Sequence, residues 1–169
     1  MWYVIQVRTG REHEILTLYD RRIKSTAEEL FIMRCMRYIR NPGGGFHEQE
    51  ANAFPGYIFA DTKDINNLQE RLNDIPELTK IVGAGDEVFP IYQEEENLLK
   101  LLGGDEHLIS TSKGIQKGDK IIVSSGSLAG LEGKIAWVNR HRRTACIEID
   151  FCGHTVKTKL GLEIIEKVG

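Results

Sequence analysis

The chain has 169 residues, of which 41% are hydrophobic and 28% charged, with a formal net charge of −3. That length suits one ordinary domain or two small ones, and no apolar run approaches the roughly 20 residues a membrane-spanning helix needs. The three cysteines, Cys35, Cys146 and Cys152, lack Cys-x-x-Cys spacing, which argues against a disulfide framework or a zinc site and for a reducing, cytoplasmic setting. Met1 leads straight into Trp2-Tyr3-Val4-Ile5-Gln6-Val7, without the basic start or cleavage site of a secretion signal. The charge is unevenly spread: residues 1–112 carry 12 Lys and Arg against 19 Asp and Glu, and residues 113–169 carry 10 against 6. An acidic front and a basic tail suit different partners, the tail a polyanion.

Trp2 to Val7 is rich in aromatic and β-branched residues and predicts a strand. Thr9-Gly10-Arg11-Glu12 then reads as a capping box opening a helix, whose Ile15, Leu18, Tyr19 and Ile23 form one apolar face. Leu30 to Ile39 predicts a second strand, with Arg34, Arg37 and Arg40 along it. Asn41 to Glu50, with three successive glycines, predicts a long hairpin loop before the next strand. That strand, Ala53 to Ala60, crowds Phe54, Tyr57, Ile58 and Phe59 together, at a density suited to a strand covered by other layers. For Phe54 and Tyr57 the residues alone fit either ordinary core or a docking pocket for a partner helix. Asp64 caps a second helix carrying Ile65, Leu68, Leu72 and Ile75, which Pro76 ends; Thr79 to Val82 predicts a short strand, and Glu94 to Leu102 a third helix.

The order strand, helix, strand, strand, helix, strand is that of ferredoxin-like domains. The class is therefore α+β, with a first domain over residues 1–102 and a polar, glycine-bearing linker over 103–116. From residue 117 to 169 short strands recur at about ten-residue spacing, which implies a small five-stranded barrel. They cover Lys120 to Ser124, Gly133 to Asn139, Thr144 to Phe151, His154 to Leu160 and Leu162 to Val168. In a core this small Trp137 is expected to be a main component.

Three stretches in this order carry a family resemblance: Trp2-Tyr3-Val4; Phe54-Pro55-Gly56-Tyr57; and Gly118-Asp119 with Val123, Gly126, Gly130 and Gly133. Together they resemble the NusG family of transcription elongation factors over essentially the whole chain. The resemblance implies a ferredoxin-like N-terminal (NGN) domain that binds RNA polymerase and a C-terminal KOW barrel that binds a further partner. It assigns Phe54 and Tyr57, with Trp2 as a neighbour, to the pocket that grips the clamp helices of the large polymerase subunit. The loop Asn41 to Glu50 is then either a disordered tip or a second contact, toward the far wall of the cleft or the non-template DNA.

The rim that this family uses to hold Rho or a ribosomal protein differs here. Gly126-Ser127-Leu128 and Cys152-Gly153-His154 replace the usual Gly-Pro-Phe and Phe-Gly-Arg, which argues against both contacts. Instead the barrel carries a basic turn, Asn139-Arg140-His141-Arg142-Arg143, with Lys134, His154, Lys157 and Lys159 as expected neighbours. Arginine forks match phosphates and base edges, so this cluster is the expected RNA site, and a folded hairpin its ligand. In this the chain is similar to the LoaP group of antitermination factors, which implies a monomer recruited by a leader RNA to let polymerase pass terminators. The alternatives are a housekeeping factor contacting Rho or the ribosome, and a general RNA-binding KOW protein.

No catalytic, metal or cofactor site is expected. Gly43-Gly44-Gly45 lacks the Gly-Lys-Ser/Thr that a phosphate loop requires, and the five histidines show no ligand spacing. Cys152 and His154 lack a third group to orient them as nucleophile and base.

Overall fold

A computed structural model describes residues 1–74, 88–151 and 154–169. The first module contains β1 (Trp2–Gln6), α1 (Glu12–Arg22), β2 (Glu28–Phe31), β3 (Arg34–Arg40), β4 (Phe46–Asn52), β5 (Tyr57–Thr62), α2 (Ile65–Asn73), β6 (Val88–Pro90) and α3 (Gln93–Gly103). The second contains β7 (Leu108–Ile109), β8 (Ser112–Lys117), β9 (Lys120–Ser125), β10 (Ile135–Asn139), β11 (Thr144–Phe151) and β12 (His154–Val168). No helix among the described residues is long and apolar enough to cross a membrane.

The main sheet of the first module runs β2–β5–β1–β6 with every pairing antiparallel. It has an apolar layer on each face. Ile5, Ile58 and Ala60 face Ile15 and Tyr19 of α1 and Leu68 and Leu72 of α2, while Trp2, Val4 and Phe59 turn the other way into a second cluster with Phe31, Phe54 and Leu99 of α3. Period-two alternation thus divides the dense apolar run of β5 between two cores, as its composition requires. Asp64 caps α2 as expected, its carboxylate accepting from Asn67 N at 3.1 Å. Ile75, Pro76 and the strand expected at Thr79 to Val82 lie outside the described residues.

Leu30 to Ile39 is not one strand. Ile32 enters the cluster under the helices and Met33 the opposite one, and Arg34 N donates to His107 O at 2.9 Å, so the chain leaves the main sheet and starts another. That second sheet has the order β4–β3–β7. The second half of the long loop expected over Asn41 to Glu50 is strand β4, paired with β3 from Arg40 opposite Phe46 to Arg34 opposite Asn52. Its Phe-His-Glu-Gln-Glu-Ala-Asn sequence has little strand character of its own; its partner supplies the ladder.

Half of the region expected as linker, 103–116, is built into sheets. β7 pairs in parallel with β3, and β8 with β12. The second module is one five-stranded sheet in the order β10–β11–β12–β8–β9. Two expected strands are the single fifteen-residue β12, which pairs first with β11 and then with β8. The strand spacing predicts a closed barrel, and no pairing of β9 with β10 that would close the sheet is found among the described residues. Its apolar filling comes from Leu128, Ala145, Ile147, Ile149 and Leu160, whereas Trp137 is 43% exposed. The core role expected of Trp137 is corrected accordingly.

One buried carboxylate ties α1, β2 and α2. Glu28 accepts from Tyr19 Oη at 2.6 Å and from Arg71 Nη2 at 2.7 Å, and its side chain is 1% exposed. Burial, with the Glu28 hydrogen bond, pushes the Tyr19 phenol up to about 12. A folded-state value above the unfolded one, about 10, stabilises the fold at lower pH, so stability is expected to fall as pH rises from about 10 through about 12. Replacing Arg71 with Ala strands a buried carboxylate and is expected to cost about 3 kcal/mol in urea unfolding.

Candidate functional site

The Phe-Pro-Gly-Tyr segment is a tight turn into β5. Tyr57 N donates to Phe54 O at 3.2 Å and Val7 N to Gly56 O at 2.8 Å. Gly56 sits at φ +89°, where a Cβ would come within 3.3 Å of Val7 O, so glycine suits the position on both counts. Glu12 holds the turn from below, its Oε1 accepting from Gly56 N at 2.7 Å while both oxygens accept from Gly10 N at 3.2 and 3.0 Å. Here the structure corrects the expected capping box: the residue before the helix is Arg11, and Glu12, 5% exposed, reaches across to β5. A second carboxylate, Glu96 of α3, accepts from Trp2 N at 2.6 Å and from Lys100 Nζ at 3.0 Å. Burial pushes the Glu96 carboxyl up, but hydrogen bonds from Lys100, Trp2 and Gln93 outweigh it and hold the group below the usual range.

These supports present the three expected polymerase-binding residues unequally. Trp2 is 2% exposed and Phe54 is fully buried, whereas Tyr57 is half-buried. Trp2 meets Phe31 edge-on at 4.9 Å and Phe54 meets Phe59 at 6.0 Å. Both belong to an apolar cluster that continues into Leu128, Ala145, Ile147 and Ile149 of the second module. The two modules are docked, with hydrogen bonds from β3 to the second module beside that shared cluster.

The basic turn lies at the same junction. Asn139 Oδ1 accepts from Arg142 N at 3.2 Å, and Arg143 closes the turn at φ +51°. Arg140, His141 and Arg142 are exposed. Arg143 is not free for a ligand: its guanidinium lies 4.1 Å from the centroid of Phe46 and 3.6 Å from Glu163 Oε2. Lys159 is exposed near the turn, while Lys157 pairs with Glu148 at 3.7 Å. Lys134 stands at the far end of β10, on the order of 20 Å along the strand from Arg140. It is close enough to α3 to influence Glu95, whose carboxyl is pushed up by burial and drawn down by Lys134. The His154 side chain lies outside what the structure describes. The turn therefore gathers Arg140, His141, Arg142 and Lys159.

Sequence reasoning missed the hairpin as the partner of this turn. Arg37 Nε donates to Lys159 O and Arg40 Nη2 to His141 O, both at 2.8 Å, and Thr111 Oγ1 donates to Glu48 Oε1 at 2.5 Å. The arginine spacing along β3 was visible, but nothing local says that their acceptors lie more than a hundred residues away.

A four-stranded antiparallel sheet with helices, an inserted hairpin and a docked five-stranded sheet define a two-module α+β protein. Residues 1–100 match the family model described as transcription termination factor NusG, and the chain belongs to the NusG family. It is 23% identical over 175 residues to the transcription termination/antitermination protein NusG of Halalkalibacterium halodurans, covering 99% of this chain and 98% of that one. Its fold is similar to the solved structure described as "Domain interaction in Thermotoga maritima NusG", with a TM-score of 0.55 at 16% identity over 95% of this chain and 92% of that one. The chain is thus a NusG-like transcription termination/antitermination factor.

Glu12→Ala leaves the Gly56 N–H buried without its acceptor. The expected result is a loss of about 1–3 kcal/mol in stability, with faster amide exchange at Gly56 and Tyr57.

Proposed function

We propose that this protein is a non-enzymatic antitermination factor that binds the clamp helices of RNA polymerase through its first module and a leader RNA hairpin through its second, in the manner of the LoaP group. The observation that carries the RNA half is the exposed cluster Arg140, His141 and Arg142 on a turn pinned by Asn139, in a module of net positive charge. Rigid placement of forked donors is what recognition of a folded phosphate backbone needs. The polymerase half draws on the family match and on Tyr57, the accessible member of the aromatic set. Leu128, which replaces the usual rim aromatic, is fully buried, and this favours the specialised reading over a housekeeping factor that contacts Rho or the ribosome through that rim. The non-template DNA remains a further contact in this reading, by way of the β3–β4 tip.

The buried state of Phe54 decides how the polymerase half is tested. Phe54→Ala would open a cavity costing about 3–5 kcal/mol and confuse folding with binding. Tyr57→Ala, checked for an unchanged unfolding midpoint, is expected to lower copurification with RNA polymerase about tenfold. Unchanged copurification would remove the aromatic pocket from the proposal. In transcription across a terminator, readthrough is expected to need both this protein and the upstream leader, and readthrough that ignores the leader would remove the RNA half.

A further inference from the structure

Where the β3–β4 hairpin meets the turn between β10 and β11, the surface holds a cleft of about 550 Å³. Four permanent cations line it, Arg37 and Arg40 from the first module and Arg142 and Lys159 from the second, together with His141 and no carboxylate. Among the described residues none of the four takes part in an ion pair, whereas the neighbouring Arg34 and Arg143 are paired with Glu50 and Glu163. Arg37 and Arg40 each commit a nitrogen to a backbone carbonyl of the other module. A guanidinium has five N–H donors, so most of each fork remains available. Docking therefore fixes these arginines in place without neutralising them. Ile39, 38% exposed, adds an apolar surface among the cations, while the Phe46 ring is already in contact with Arg143 at 4.1 Å and Arg40 at 5.4 Å.

Four like charges gathered in one cleft repel each other, and the arrangement is relieved by an anion that spans all of them. A single phosphate is too small to do so across this volume. A run of phosphates offers several anionic groups to several cations, and ribose or an unpaired base suits the apolar surface.

We infer that this cleft is a composite RNA-binding site in which Arg37 and Arg40 hold the same backbone that Arg142 and Lys159 hold from the opposite side. The inference rests on the reading of the basic turn as an RNA contact and extends that contact across the module boundary. RNA that touches both modules binds the docked arrangement more tightly than the separated one, and so shifts the population toward it.

Phosphate contacts are largely independent of sequence, so a fluorescein-labelled RNA stem–loop serves as the probe for the full-length chain. Its Kd is measured by anisotropy over a salt series. Losing two phosphate contacts in Arg37→Gln/Arg40→Gln is expected to make the log–log slope shallower by about 1.4 to 1.8, and to raise Kd about tenfold or more at moderate salt. These substitutions also remove two contacts between modules, so a second measurement uses the unaltered chain. A stem–loop containing 4-thiouridine is expected to cross-link to residues 37–46 as well as 140–144. An unchanged slope, or adducts confined to 140–144, would overturn the composite site. Arg140→Gln/Arg142→Gln separates the two readings: if it weakens binding while Arg37→Gln/Arg40→Gln does not, the turn stands and the composite site falls. If neither pair matters, both fall. Polyglutamate binding in the cleft with RNA no better than background would likewise overturn the proposal, in favour of an acidic protein segment.

Discussion

The arrangement of the whole molecule depends on one apolar cluster that neither module owns. It begins at Trp2, Val4 and Phe59 on one face of the first sheet, passes through Phe54, Leu99 and Leu102, and continues into Leu128, Ala145, Ile147, Ile149 and Leu160. Each large side chain fully removed from water contributes about 1.5–3 kcal/mol, so a cluster of this extent holds the modules in register without help from charge. The polar contacts at the junction add direction. Gly161 shows how close the approach is, since a Cβ there would meet Thr111 Cγ2 at 2.7 Å and Met36 O at 3.2 Å.

Around that cluster, three carboxylates act as fixed points. Glu12, Glu28 and Glu96 are each largely removed from water, and each accepts from groups distant in sequence: Gly56 N, Arg71 Nη2 and Trp2 N. A buried carboxylate is unfavourable unless hydrogen-bonded on every side, which is why such sites resist rearrangement once made. Here they pin the turn before β5, the end of α2 and the start of β1. The first and the last of these carry the aromatic set of Trp2, Phe54 and Tyr57.

Much of the first module was legible in the sequence because its signals are local. The alternation in β1 and β5, the Asp64 cap and the apolar stripe of α2 each report on their own few residues. What was not legible depends on partners far along the chain. β4 is a strand because β3 pairs with it, and the region 103–116 forms strands because β3 and β12 offer edges to it. Trp137 was misjudged because size and apolarity suggest burial, but Leu128 and Ile147 fill the space instead. In the candidate sites, the turn at 139–143 was readable as a run of cations, while the commitment of Arg143 to Phe46 and Glu163 was not. Nor was the burial of Phe54 and Trp2, since composition cannot say which aromatic residues of a dense run end in the core.

The incorporation of the connecting segment into two sheets limits how far the halves can ever part. If β7 peels away from β3 while β8 stays in its sheet, only residues 104–111 remain as a tether. At about 3.3–3.6 Å per residue fully stretched, that tether reaches a little under 30 Å. A module on so short a leash stays at high effective concentration relative to its old seat. Any ligand that pries the pair open therefore competes with a recapture reaction that dilution of the protein cannot slow.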